Sequence, residues 1–119
     1  MHPTGITANL SVADLSNARE FYGDFLGLTV ESMNLGWVAR WQSPDGRAVL
    51  QVVTRDATAP VDSAISVHVG EGVTEAYAEA RRRGFAIVHP LTTEPWGVTR
   101  FFVRDPGGNV VNVVSHRDD

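Results

Sequence analysis

Residues 7–27 read TANLSVADLSNAREFYGDFLG, and residues 64–84 read AISVHVGEGVTEAYAEARRRG. Both stretches begin with alternating apolar and polar residues, which is typical of a strand with one buried face. Both continue with apolar residues at helical spacing and end at a glycine, which favours a helix stop. The copies are 57 residues apart, counted from Thr7 to Ala64 (64 − 7), so the sequence predicts one strand–helix unit used twice.

A turn sequence flanked by predicted strands follows each predicted helix, and the two turn sequences match. Residues 43–46 (Ser-Pro-Asp-Gly) and 105–108 (Asp-Pro-Gly-Gly) are turn sequences, because proline presets φ and glycine accepts a positive φ. Apolar strands are predicted around them, at 28–31, 37–42 and 48–53 in the first copy and at 85–89, 99–103 and 110–114 in the second. Each copy is therefore predicted to be a β-α-β-β-β unit, and the chain an α+β protein.

The length of 119 residues fits one domain. We predict a single domain over 1–119, with module one at 5–54, a linker at 55–63 and module two at 64–116. The second copy is longer than the first, and the extra residues fall at 94–98. That segment is predicted to be a loop special to the second module.

Composition excludes several classes of protein. The chain has no cysteine, which rules out disulfides and thiolate metal sites. No apolar run approaches the ~20 residues of a membrane helix, and residues 1–5 do not resemble an export signal. Net charge is −4, and the one basic run, 81–83, lies at a predicted helix end, where it opposes the helix dipole. We expect a cytoplasmic protein with no nucleic-acid or membrane partner.

In this order and duplicated, the motifs resemble the vicinal oxygen chelate (VOC) superfamily, which includes glyoxalase I, bleomycin resistance proteins, fosfomycin-modifying enzymes and extradiol dioxygenases. The resemblance covers nearly the whole chain and is carried by residues 12–15, 21–22, 26–28, 95–97 and 102–109. It implies the glyoxalase/bleomycin resistance/dihydroxybiphenyl dioxygenase-like fold. In that fold, two tandem β-α-β-β-β modules form a curved mixed sheet around a cavity. The resemblance also implies a homodimer that binds a small molecule.

The resemblance further implies four inward-facing metal-ligand positions, which align with Thr7, Gln51, Ala64 and Asn112. The family's ligands are His, Glu or Gln, so Gln51 is a weak ligand of this kind. Thr7 and Asn112 are poor neutral ligands, and Ala64 has no donor atom. Because a divalent metal needs several anionic or imidazole ligands, we expect no metal and no other cofactor.

Alternation along the strands predicts which residues face the cavity. Their side chains are mostly neutral and polar, which suits a ligand with amide, hydroxyl or carbonyl groups. Trp37 and Trp41 fit a stacking platform and fit a core or dimer-interface role equally well, whereas Trp96, on a Pro-Gly loop, favours ligand contact. The predicted ligand-binding residues are Thr7, Asn9, Trp37, Trp41, Gln51, Ser66, His68, Trp96, Phe102 and Asn112.

His68 is the one histidine inside a predicted strand on the cavity face. It is a candidate general base or a hydrogen-bond donor to ligand, and a structural role fits it equally well. We expect His2 and His116 in solvent near the termini and His89 on a loop surface. Arg100 and Arg104 alternate with Phe102 and fit the binding of an anionic group, but exposed strand arginines are the more common case, so we expect Arg100 to be exposed.

Three functions fit the sequence. The first is a metal-free small-molecule-binding protein, similar to the bleomycin-resistance branch, that sequesters an aromatic or peptide-like compound and so confers antibiotic resistance. The second is a superfamily lyase, isomerase or dioxygenase, using a metal at a shifted site with Gln51 and His68, or His68 alone as acid and base. The third is a structural or regulatory dimer with a vestigial cavity. The poor ligand set favours the first, without catalysis.

Overall fold

A computed structural model describes residues 1–116, and its elements follow the predicted order. The element order β-α-β-β-β occurs twice, which confirms the predicted α+β fold. Module one contains β1 (Gly5–Ser11), α1 (Leu15–Ala18) continuing as a π-helical segment (Arg19–Phe25), β2 (Val30–Asn34), β3 (Val38–Gln42) and β4 (Val49–Val53). Module two contains β5 (Ile65–His68), α2 (Val73–Arg82), β6 (Ile87–Thr93), β7 (Val98–Arg104) and β8 (Val110–His116).

The chain divides into two compact units. One unit holds residues 7–62, and the other holds residues 1–6 and 63–116. Within the second unit the N-terminal segment is held to β5, because the Thr4 N–H donates to the His68 carbonyl at 2.7 Å. No helix in residues 1–116 is long and apolar enough to cross a membrane.

Module one builds a sheet of strand order β2-β3-β4-β1. Strands β1 and β4 are parallel, with Asn9 opposite Gln51, and the remaining pairs are antiparallel. Asp14 caps α1 by accepting the Asn17 N–H at 2.9 Å. The helix packs on one face of the sheet, and the core of this module contains Ala18, Ala39, Trp41 and Val52.

The predicted apolar stripe of the first helix does not stay on one face. Leu15, Ala18 and Tyr22 pack against the sheet, but Phe21 and Phe25 are exposed. The reason is the switch to π-helical geometry at Arg19, because a π-helix has more residues per turn than the α-helix on which the spacing argument rests.

The alternation in β1 is as predicted, but its apolar side chains are not buried. Ile6 is 66% exposed and Leu10 is 38% exposed, whereas Thr7 and Asn9 are buried. The helix covers β3 and β4 in place of β1, so the apolar face of this strand is not the buried face that its alternation predicts.

Module two builds a sheet of strand order β5-β8-β7-β6, with β5 and β8 parallel. Helix α2 packs on one face through Val73, Ala76 and Ala80, against Phe101 and Val113. The basic run 81–83 at its end is exposed, and Arg83 Nε donates to Glu79 Oε1 at 2.7 Å, which agrees with a structural role.

The two Pro-Gly turns are held by their aspartates. Asp105 accepts the Asn109 backbone N–H at 2.8 Å and the Asn109 side-chain amide at 2.9 Å. Asp45 accepts the Ser43 hydroxyl at 2.6 Å and the Arg47 N–H at 3.0 Å. These bonds favour the ionised carboxylates and hold the pKa of each below its ordinary value.

We expect Asp105→Asn to lower the thermal unfolding midpoint at about pH 7. Because the folded-state pKa of Asp105 is lowered, its contribution is complete above the ordinary value of 3.8 and is lost as pH falls through the lower folded value. The difference from wild type should therefore shrink in acid. Scanning calorimetry across pH, with exposed Asp24→Asn as the charge-matched control, checks this. A difference that stays constant from neutral pH to about pH 3 contradicts it.

Candidate functional site

The sheet of module two has one face that α2 does not cover. Ser66 and Phe102 both pair with Asn112 in register, and His68 and Arg100 both pair with Val114. Residues paired in register point to the same side of a sheet. We call this surface the helix-distal face of module two, and it consists of Ser66, His68, Arg100, Phe102, Asn112 and Val114. Four of the predicted ligand-binding residues, Ser66, His68, Phe102 and Asn112, are brought together here.

Asn112 lies at the centre of this face, and only one of the two polar atoms of its side-chain amide has a hydrogen-bond partner. The side chain is 7% exposed, and its Nδ2 donates to the Ser66 hydroxyl at 2.9 Å. Its Oδ1 is buried and has no hydrogen-bond partner. Leaving such an acceptor unsatisfied costs about 1–3 kcal/mol. Asn112 is therefore set to accept a hydrogen bond from a group that the described chain does not supply.

A buried charged cluster, the Arg100 cluster, lies beside Asn112 and consists of Arg100, Glu94, His89, Trp96 and Phe102. Arg100 is 4% exposed, and its Nε donates to Glu94 Oε2 at 2.6 Å. His89 Nε2 is 3.1 Å from the same carboxylate oxygen. The guanidinium lies 5.0 Å from the Trp96 ring centroid and 4.9 Å from that of Phe102. Both distances are within cation–π range.

The structure corrects two expectations in this cluster. Arg100 is buried, not an exposed strand arginine, because it points to the helix-distal face between two aromatic rings. His89 is buried inside β6 opposite Phe102, not on a loop surface. Strand β6 tolerates Pro90 after this histidine because it is an edge strand, where a missing N–H breaks no ladder.

Trp96 lies on the loop between β6 and β7, as the sequence predicts for this segment. The loop is closed by the Gly97 N–H, which donates to the Glu94 carbonyl at 3.0 Å, with Gly97 at φ +98°. The half-buried indole covers the Arg100 guanidinium. Trp96 thus already stacks on a group of its own chain.

A pair of histidines closes one end of the same face. His68 Nδ1 is 3.1 Å from His116 Nε2, and the two rings stack with centroids 5.1 Å apart. We expected His116 in solvent near the terminus. Strand β8 instead continues to His116, and this places it beside β5.

Module one carries three of the remaining predicted residues on one face of its own sheet. Thr7 and Asn9 are buried and share a side of β1, and Asn9 pairs with Gln51. Gln51 Oε1 accepts a hydrogen bond from Arg40 Nη2 at 3.1 Å. Trp37 is half-buried just before β3.

Trp41 is not on that face. Its ring is 1% exposed and lies in the core under α1, where Nε1–H donates to Glu31 Oε1 at 3.0 Å. Together with Arg19, this bond holds the pKa of Glu31 below its ordinary value. Trp41 pairs with Leu50, whereas Arg40 pairs with Gln51, so Trp41 and Gln51 point to opposite sides of the sheet.

The residues at the family's four metal positions do not fit a divalent ion. The carbonyl oxygen of Gln51 already accepts from a guanidinium, whose charge repels a cation. Asn112 is a neutral amide, and Ala64 has no donor atom. Across residues 1–116, no three His, Asp or Glu side chains are grouped so that they could hold a metal ion.

Comparison with solved structures shows the same fold in other proteins. NAD-dependent benzaldehyde dehydrogenase from Legionella pneumophila superposes with a TM-score of 0.76 at 19% identity, covering 95% of this chain and 100% of that one. Methylmalonyl-CoA epimerase from Mycobacterium tuberculosis gives 0.68 at 22% identity, over 96% and 89%. A glyoxalase/bleomycin resistance protein/dioxygenase superfamily member from Vibrio splendidus 12B01 gives 0.68 at 15%, over 93% and 97%.

These identities are low, so the superpositions speak for the fold alone. A search of proteins with curated functions finds no significant match. The sequence profile of one family matches residues 5–113, nearly the whole length of the chain. This chain belongs to the Glyoxalase/Bleomycin resistance protein/Dioxygenase superfamily.

Proposed function

We propose that this protein binds a small organic molecule on the helix-distal face of module two, with no metal ion at the family's ligand positions. The buried, unpartnered Oδ1 of Asn112 carries the proposal. An unpaired buried acceptor does not stabilise the folded chain. A ligand N–H or O–H can donate a hydrogen bond to it on binding. The central groups of this face are an amide, a hydroxyl and aromatic carbon. Such groups suit binding of a compound without a catalysed reaction.

The surrounding groups favour an uncharged, aromatic or peptide-like ligand. Glu94 balances the charge of Arg100, so the face does not offer an uncompensated cation to an anionic group. The Phe102 ring pairs with Asn112 in register but is fully buried, so the half-buried Trp96 indole over Arg100 offers the aromatic surface to a ligand. A peptide-like compound combines an amide N–H for Asn112 with apolar groups for this indole. The homodimer expected from the resemblance stays a prediction, and the exposed Phe21 and Phe25 support it.

Asn112→Leu is expected to weaken ligand binding about tenfold, because it removes the acceptor. Tryptophan fluorescence, titrated with aromatic and peptide-like antibiotics, measures the affinity. Asn17→Leu, on the surface of α1, is the matched control and should bind like wild type. Among ligands that bind, N-methylation of the donating amide should cost wild type affinity and leave Asn112→Leu unchanged. Equal affinity of wild type and Asn112→Leu for every compound counts against the proposal.

A second candidate function is acid–base catalysis through His68. The observation that favours it is the His68–His116 contact, since a paired imidazole can accept and release a proton. Incubation of each bound compound with wild type and His68→Ala, followed by mass spectrometry, separates the two functions. A product formed by wild type alone favours catalysis, and recovery of unchanged ligand from both favours sequestration.

A further inference from the structure

The histidine pair at the ends of β5 and β8 has a geometry that suits a metal ion. His68 Nδ1 and His116 Nε2 are 3.1 Å apart, and both side chains are partly exposed. At this distance one imidazole donates N–H to the lone pair of the other. Both rings belong to adjacent strands of one sheet, so the backbone fixes their separation.

Two imidazole nitrogens bound to one tetrahedral zinc ion, each at about 2.0–2.1 Å, are about 3.3–3.4 Å apart. The observed separation is slightly shorter. A tautomer change, in which the shared proton moves to the other nitrogen of the donating ring, and a small rotation of the rings would direct both lone pairs at one ion. We propose that His68 and His116 form a two-imidazole site for a divalent transition metal such as zinc, with water in the remaining positions.

The surroundings of the pair agree with a hydrated ion. His116 also lines a cleft of about 280 Å³ and is partly exposed, so water can reach it. Such water can complete the coordination of an ion held by the two imidazoles. Arg100, on the same face of the sheet, is held to Glu94, so its charge is compensated.

This site differs from the one that the family uses. His68 lies four residues after Ala64, and His116 lies four residues after Asn112, which is about 13 Å further along each strand. The inference departs from the expectation of a protein without metal. That expectation treated His116 as a solvated terminal residue, and only the strand pairing of β5 with β8 brings it to His68.

Zinc titration of untagged protein against a chromophoric chelator tests the site. Wild type should bind one zinc ion, and His68→Asn and His116→Asn should each bind it at least about tenfold more weakly. His116→Cys should retain binding, because a thiolate is a zinc ligand. His2→Ala, which removes a histidine of the N-terminal segment, should bind like wild type. Thermal unfolding without zinc shows whether each variant is folded.

Zinc should also raise the unfolding midpoint of wild type and of His116→Cys, but not that of His116→Asn. Affinity unchanged in both asparagine variants, affinity lost in His2→Ala, or no zinc bound by wild type would overturn the proposal. The inference does not depend on the proposed ligand at Asn112, and the Asn112→Leu titration in chelator tests that function separately.

Discussion

Arg100→Met is expected to destabilise the protein by about 3–5 kcal/mol, because it leaves the Glu94 carboxylate buried without its guanidinium partner. The side chains of Arg100 and Glu94 are 5% and 2% exposed, and the Nε–Oε2 distance is 2.6 Å. The substitution keeps an unbranched side chain of similar length beside Trp96 and Phe102. Its effect therefore reports the charge more than the packing. Urea unfolding, followed by circular dichroism, measures it.

The double variant Arg100→Met/Glu94→Leu is expected to recover stability to within about 1–2 kcal/mol of wild type. A buried ion pair gains little over apolar side chains of similar volume, because desolvation of both charges offsets their attraction. Arg104→Met, on the exposed end of the same strand, is the matched control and should cost less than about 1 kcal/mol. Additive losses in the double variant, or a loss for Arg100→Met no larger than that of Arg104→Met, contradict this account.

The Arg100 cluster also shows which structural features the sequence does not predict. Alternation in β7 places Arg100 and Phe102 on one face, and this follows from the sequence. Their burial depends on Glu94 from the preceding loop and His89 from β6, which are brought together by strand pairing. An arginine is exposed by default, and the sequence pattern does not show which one has a buried carboxylate partner.

The fold could be predicted because its evidence is local and duplicated. The glycine at the end of each helical stretch, Gly27 and Gly84, has a positive φ in the structure, as do the turn glycines Gly46 and Gly108. The faces of β5 and β8 follow from alternation, and in the structure Ser66, His68 and Asn112 lie on one side of the sheet. The π-helical segment was missed because residue spacing cannot distinguish it from an α-helix over two turns.

The candidate site was predictable in part for a related reason. The sequence of one strand shows which of its residues lie on the same face. Which residues of the neighbouring strands lie beside them depends on the register of strand pairing. Trp41 illustrates the difference, because its pairing with Leu50 puts it on the side opposite Gln51. The sequence left a core role and a ligand role equally open for this residue. The structure places it in the core, and the following variants test that location.

Trp41→Ala is expected to destabilise module one by about 3–5 kcal/mol, because a large aromatic side chain is lost from a closely packed core. Trp41→Phe should cost less, since it keeps most of the apolar contacts and loses the hydrogen bond from Nε1 to Glu31. Trp37→Ala, at a half-buried position before β3, is the control for removal of an indole from the same part of the chain. Urea unfolding gives the three free energies.

Ligand titration of Trp41→Phe then separates packing from recognition. If Trp41 acts only through the core, this variant should bind ligand within about twofold of wild type once it is folded, because no group on the helix-distal face has changed. A variant with wild-type stability and strongly reduced affinity would show that the indole is part of the binding site. Because the indole lies under α1 and bonds Glu31, a ligand could reach it only after the helix moved away, and that movement would itself cost the core contacts that the Trp41→Ala measurement reports.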